Sequence, residues 1–174
     1  IFQEMIELIR DQFTLTKEAL LTNDAEVAGE VMRKESRVNS YELTIDRECE
    51  DFLALQAPVA ADLRLAIAIL KMSTSLERIG DHAYRISSFV YNEELKLKKD
   101  VIKLVQLPEL FDDIDNMLKV ILEAFEQGDA KLAKKVFKKD KILDKMNRKV
   151  PVLLEEYLKN SKEGLATLIL IARI

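Results

Sequence analysis

Two carboxylates four residues apart, Glu77 and Asp81, stand in the stretch Leu76-Glu77-Arg78-Ile79-Gly80-Asp81-His82. On a helix that spacing puts both on one face. Upstream, Leu63, Ala66, Ile67 and Leu70 recur at i, i+3, i+4, i+7, so the acids continue a stripe that starts as core. An acid leaving water there protonates, pairs with a cation or binds a metal. A second set, Glu35, Asn39, Glu42 and Asp46, follows steps of four, three and four and forms a polar rail beside another apolar stripe. Oxygen-only donor sets of this kind suit Mg²⁺, Mn²⁺ or Fe²⁺, which need neither thiolates nor several imidazoles. Pairing with Arg64, Arg78 or Arg85 is the competing use of the same acids. His82 follows Glu77 by five residues, about 140° away around a helix, so it reads as a satisfied side chain or cap rather than a ligand beside Glu77.

Those acids need long helices to hold them, and the chain supplies a composition for little else. Four Gly and three Pro in 174 residues leave few breaks, with nearly half of the residues apolar and a third charged. The expected fold class is all-α. Apolar periodicity predicts helix one over residues 2–22, with Thr22-Asn23-Asp24 ending it and capping the next. Helix two spans about Ala25 to Leu55, its core stripe including Val31, Val38, Ile45 and Phe52. A reversal follows at Ala57-Pro58, and helix three runs from Pro58 to Tyr91. In an antiparallel pair turning there, Glu77 faces Asn39 and Asp81 faces Glu35. A lysine-rich linker over 93–108 leads to helix four, Glu109–Phe125, a break at Gln127-Gly128-Asp129, and helix five from Ala130 to about Lys159. A last turn at Asn160–Gly164 introduces a sixth helix at Leu165.

The two halves repeat. Asn23-Asp24-Ala25 with Ala28, Val31 and Glu35 matches Gly128-Asp129-Ala130 with Ala133, Val136 and Asp140. Asp140 and Asp144 therefore correspond to Glu35 and Asn39 as half of a second acidic site. The partners of that half-site would lie past Ile174.

Several classes are excluded or disfavoured. One cysteine, Cys49, permits no internal disulfide and no cysteine-rich zinc site, and it reads as a small buried apolar residue. A net charge of −4 with dispersed basic residues offers no nucleic-acid surface of the usual basic kind. No apolar run is long enough to span a bilayer, and no Gly-rich phosphate loop is present.

The segments Leu55-Gln56-Ala57-Pro58-Val59-Ala60-Ala61-Asp62-Leu63-Arg64 and Leu76–His82, joined by an apolar helical run, resemble the PhoU family, and the likeness extends more loosely over the whole chain. The resemblance implies two three-helix bundles in tandem, 1–92 and 109–174, the second cut short at the C-terminus. It implies a cytoplasmic, non-enzymatic negative regulator of phosphate uptake and phosphate-starvation signalling, an adaptor between the phosphate-specific ABC transporter, through its ATPase, and a sensor histidine kinase. Membrane association would come only through those partners. It also implies metal on the acidic motifs, reaching Glu35, Glu77, Asp81, Asp140 and Asp144. Asn39 departs from a fully acidic pattern and removes one charge from the first site.

Alternatives remain beside this reading: the cytoplasmic domain of a sodium/phosphate cotransporter, and a metal-free helical interaction module. A carboxylate-bridged di-metal oxidase also lives in a helix bundle, but it expects Glu-x-x-His pairs on two helices. The lone His82 has no Glu three residues before it. Long helices in a small bundle leave apolar surface that a two-fold homodimer would cover.

Overall fold

The structure is a computed structural model that describes residues 1–92 and 96–160, without the side chains of Leu158 and Asn160. Seven helices make up the described residues, with no strand among them: α1 Phe2–Thr22, α2 Ala25–Leu55, α3 Ala60–Tyr91, α4 Lys99–Leu104, α5 Leu107–Gln127, α6 Ala130–Ala133 and α7 Val136–Asn160. The expected sixth helix lies outside the described residues.

Sharp turns at the helix ends follow from a few residues. Asn23 takes a left-handed conformation (φ 55°) and ends α1, after which Asp24 caps α2 by accepting hydrogen bonds from the N–H groups of Glu26 and Val27. The second half repeats this turn with Gly128 (φ 62°) and with Asp129 accepting from Lys131 and Leu132. Even the closing bonds correspond, Asp24 N–H to the Ala19 carbonyl and Asp129 N–H to the Ala124 carbonyl. The repeat read from sequence is therefore present as a repeated turn.

The reversal between α2 and α3 sits at Ala57, whose φ of 43° is left-handed, and Pro58 lies in the lead-in rather than in the helix. Helix three thus begins at Ala60 and not at Pro58. Proline biases the residue before it away from the right-handed helical region, so the chain turns one residue ahead of it. In α5 the corresponding device works inside the helix: Pro108 occupies the first turn, where its missing N–H costs nothing.

One core runs through the first bundle and into α5. Met5, Ile6, Ile9 and Leu20 of α1, Val31 and Val38 of α2, and Ala83 of α3 are fully or almost fully buried. Helices α1 and α5 pack antiparallel, with Phe2 against Phe125 (ring centroids 4.6 Å apart) and Phe13 against Phe111 (5.9 Å). Arg10 forks onto Asp115 with Nε to Oδ1 at 2.8 Å and Nη2 to Oδ2 at 3.2 Å, fixing the register at the edge of that contact.

Three features differ from the sequence expectation. Leu63 and Ile67 are each 40% exposed and Phe52 37%, although their spacing reads as core. The reason is length: α1 spans 21 residues against 31 in α2 and 32 in α3, so the closed end of the α2–α3 hairpin extends past the helix that lies along its open end. The segment 93–108 contains the short helix α4, which buries Val101 and Ile102. Helix five is divided into α6 and α7 around Lys134 and Lys135. Pro151 lies inside α7, and with no N–H to give it leaves the Asn147 carbonyl without its helical partner.

Candidate functional site

Three helices build the acidic site. Gly80 faces both neighbours of α3: a Cβ placed there would stand 3.2 Å from Gln12 Oε1 on α1, 3.2 Å from Val38 Cγ1 and 3.7 Å from Glu35 Oε2 on α2. The missing side chain is what lets the heads of Gln12 and Glu35 enter the same gap. On either side of Gly80 along α3 lie Glu77 and Asp81, both half-buried at the rim.

The electrostatics show that these acids feel one another. Burial pushes the Glu35 carboxyl above its ordinary value, the charges of Asp81 and Glu77 push it the same way, and hydrogen bonding from Gln12 and Asn39 pulls it back. Burial also raises Glu77, with Glu42 and Asp81 adding to the effect and Arg78 opposing it. The expected facing of Asp81 and Glu35 is therefore present as an interaction. For Glu77 the dominant acid on α2 is Glu42, one helical step beyond Asn39, which is exposed.

Arginine takes part too. Asp81 Oδ2 accepts from Arg85 Nη2 at 2.9 Å, a pair one helical turn apart whose arginine side is 66% exposed. A bridge that open contributes little, and it engages Asp81 alone, while Glu77 feels the opposing charge of Arg78 and Glu35 only neutral amides. Deep in the gap, Glu35 Oε2 and Gln12 Oε1 are both buried without a hydrogen-bond partner.

The second set is placed differently. Asp140 and Asp144 lie on α7 and are exposed, and neither is among the charges that shift Glu35 and Glu77. Among the described residues no group of three or more His, Cys, Asp or Glu is close enough to hold a metal ion. The first site offers the oxygen donors that a hard divalent cation takes, with its carboxylates spread around the rim. His82 is exposed and lines an apolar groove of about 500 Å³ with Ile79 and Ile86 of α3, Phe111 and Leu118 of α5 and Val150 of α7. That groove is a separate feature from the acidic gap.

Comparison with known proteins decides the family. The model of the PhoU domain matches residues 2–90 and 107–174. The chain belongs to the PhoU family. Its fold is like that of PhoU from Pseudomonas aeruginosa in the crystal, with a TM-score of 0.88 at 28% identity, covering 98% of this chain and 81% of that one. A phosphate-specific transport system accessory protein PhoU from Serratia marcescens is 36% identical over 138 residues, 79% of this chain and 56% of that protein. A PhoU homolog 1 of the same description from Thermotoga maritima is 30% identical over 176 residues, 98% of this chain and 74% of that protein. The chain spans 36% of a Burkholderia relative and 56% of the Serratia one.

Gln12 is the residue that sequence reading passed over. It sits on the buried stripe of α1 between Ile9 and Phe13 and is fully buried. A carboxamide at a core position of an amphipathic helix is the signal that could have found it. Among the described residues no helix is long and apolar enough to cross a membrane.

Proposed function

We propose that this PhoU-family chain is a regulatory accessory of phosphate-specific transport, a negative regulator of phosphate uptake and of phosphate-starvation signalling that works by docking and not by catalysis. Its partners in this reading are the ATPase of the phosphate ABC transporter and a sensor histidine kinase, reached in the cytoplasm by a protein that joins the membrane only through them. Membership of the family is the observation that carries the reading, together with relatives named as accessory proteins of phosphate-specific transport. The overhanging end of the α2–α3 hairpin supports a docking role, because Leu55 and Val59 stand 77% and 68% exposed there. A homodimer covering apolar surface belongs to the same reading.

Metal enters as a second part of the proposal. Glu35, Asn39, Glu77 and Asp81 would hold a Mg²⁺, Mn²⁺ or Fe-type ion, and Asp140 with Asp144 would contribute to another. Such an ion supplies positive charge where the carboxylates repel one another. The buried, unpartnered Glu35 Oε2 supports this; the Asp81–Arg85 pair competes with it.

The test is direct binding of the full chain to the purified ATPase and to the cytoplasmic region of the kinase. Saturable binding to either, together with restored repression of phosphate uptake in a cell lacking its own PhoU-family protein, is the expected outcome. Absence of both would overturn the adaptor reading.

A further inference from the structure

The core of the first bundle contains two sequence choices that cost stability on separate helices. Gln12 places a carboxamide at a fully buried position of α1, a site where a polar group loses its hydration and must be bonded in compensation. Gly80 stands in the interior of α3, where glycine is worse than alanine because it loses more backbone freedom. Both open onto the same side chain, Glu35.

The amide of Gln12 is poorly used where it stands. Its Nε2 stands 3.5 Å from the Val31 carbonyl, a long bond to a carbonyl inside α2 that already accepts the N–H four residues on. Its Oε1 faces the gap without a donor, and so does Glu35 Oε2. The two ends of a glutamine amide exchange by a half-turn of the side chain. That half-turn gives up a marginal bond to a satisfied carbonyl and sets Nε2 toward a carboxylate oxygen, a charge-assisted bond.

The surrounding interface is not loose in general. One turn further along α1, Thr16 Oγ1 donates to the Gln12 carbonyl at 2.7 Å and meets Ser87 Oγ of α3 at 3.0 Å, so that buried polar pair is closed. Among the described residues, the buried side-chain oxygens without a partner occur only where Glu35 enters.

We propose that Gln12 is a positioning residue of the acidic site: across the gap left by Gly80, its carboxamide holds the inward oxygen of Glu35 and so sets how Glu35 is presented to Glu77 and Asp81. The link couples α1, the helix that packs on α5, to the acidic face of α2 and α3. Its consequence for an ion rests on the metal reading above. Its consequence for Glu35 does not.

The experiment compares full-length wild type, Gln12→Met and the control Thr16→Val by three readouts: thermal midpoint, Mn²⁺ affinity, and the carboxyl ¹³C resonance of Glu35 with its pH profile. Gln12→Met keeps volume and removes the amide. It should weaken Mn²⁺ at least tenfold and move the Glu35 profile toward higher pH, with the thermal midpoint reporting that the fold is kept. Thr16→Val should lower the midpoint and leave the other two readouts alone. If Gln12→Met alters the Glu35 profile no more than Thr16→Val does, the proposal is overturned. A wild type that binds no Mn²⁺ ends the metal reading, and the Glu35 profile then decides the positioning role by the same criterion. Should Gln12→Met fail to fold, Gly80→Ala, whose Cβ crowds Gln12 Oε1, must move the same resonance, and an unmoved resonance overturns the proposal.

Discussion

The turn after α1 and the turn after α5 are built alike, yet the acidic residues launched from them end in different surroundings. Both turns place a left-handed residue, Asn23 or Gly128, before an aspartate that caps the next helix through the N–H groups two and three residues on. Eleven residues after each aspartate stands an acid, Glu35 or Asp140. Glu35 enters a gap between three helices, whereas Asp140 and Asp144 are exposed on α7. Local sequence sets the turn; what lies across from the acid sets its chemistry. In the first bundle that is α3 with Gly80, and α1 with Gln12.

The sharpest way to break this contrast is to fill the gap. Gly80→Val puts a branched side chain where even a Cβ would stand 3.2 Å from Gln12 Oε1 and Val38 Cγ1, and it should destabilise the protein by about 2 kcal/mol or more. Asp144→Val, adding bulk on the exposed side, should change stability by less than about 0.5 kcal/mol. Denaturant unfolding of both variants measures the difference, and equal effects would dissolve it.

The turns themselves should respond alike. Asp24→Ala and Asp129→Ala each remove a cap that accepts two backbone N–H groups, at a cost of about 1 kcal/mol apiece. Thermal unfolding that shows one cap mattering and the other not would mean that the repeat is formal only.

A smaller effect sharpens the electrostatic half of the comparison. Glu35→Gln with Glu77→Gln relieves two half-buried, mutually repelling acids and should raise the metal-free midpoint by about 2 °C. Asp140→Asn with Asp144→Asn should leave it where it is. The pH dependence has a definite sign: both folded-state carboxyls lie above their ordinary value of 4.5, so the native state binds protons more tightly than the unfolded chain. Their contribution is greatest below the unfolded value and is lost as pH rises from there through the raised folded values. The double Gln variant should flatten that slope in scans from pH 4 upward.

Much of this was legible in the sequence because helical periodicity is local. The spans of α1 and α2, the turn at Ala57 and the convergence of Asp81 with Glu35 all follow from spacing and from one proline. What escaped depends on lengths and neighbours. The apolar residues Phe52, Leu63 and Ile67 carry a core pattern, but whether a stripe is buried depends on how far α1 reaches along it. Helix α4 hid among lysines although Val101 and Ile102 are buried. Gln12 looked like one polar residue in an amphipathic helix; only the position of Gly80 on another helix shows what it faces.

We propose that Glu35, Glu77 and Asp81 form one functional acidic site, and paramagnetic broadening by Mn²⁺ in backbone NMR spectra tests this most directly. The account predicts that sub-stoichiometric Mn²⁺ first erases amide signals around Glu35, Glu77 and Asp81, and that Glu77→Gln with Asp81→Asn abolishes this while the fold persists. Broadening that spreads evenly over exposed acids such as Asp140 and Asp144, or that survives the double substitution, would contradict it.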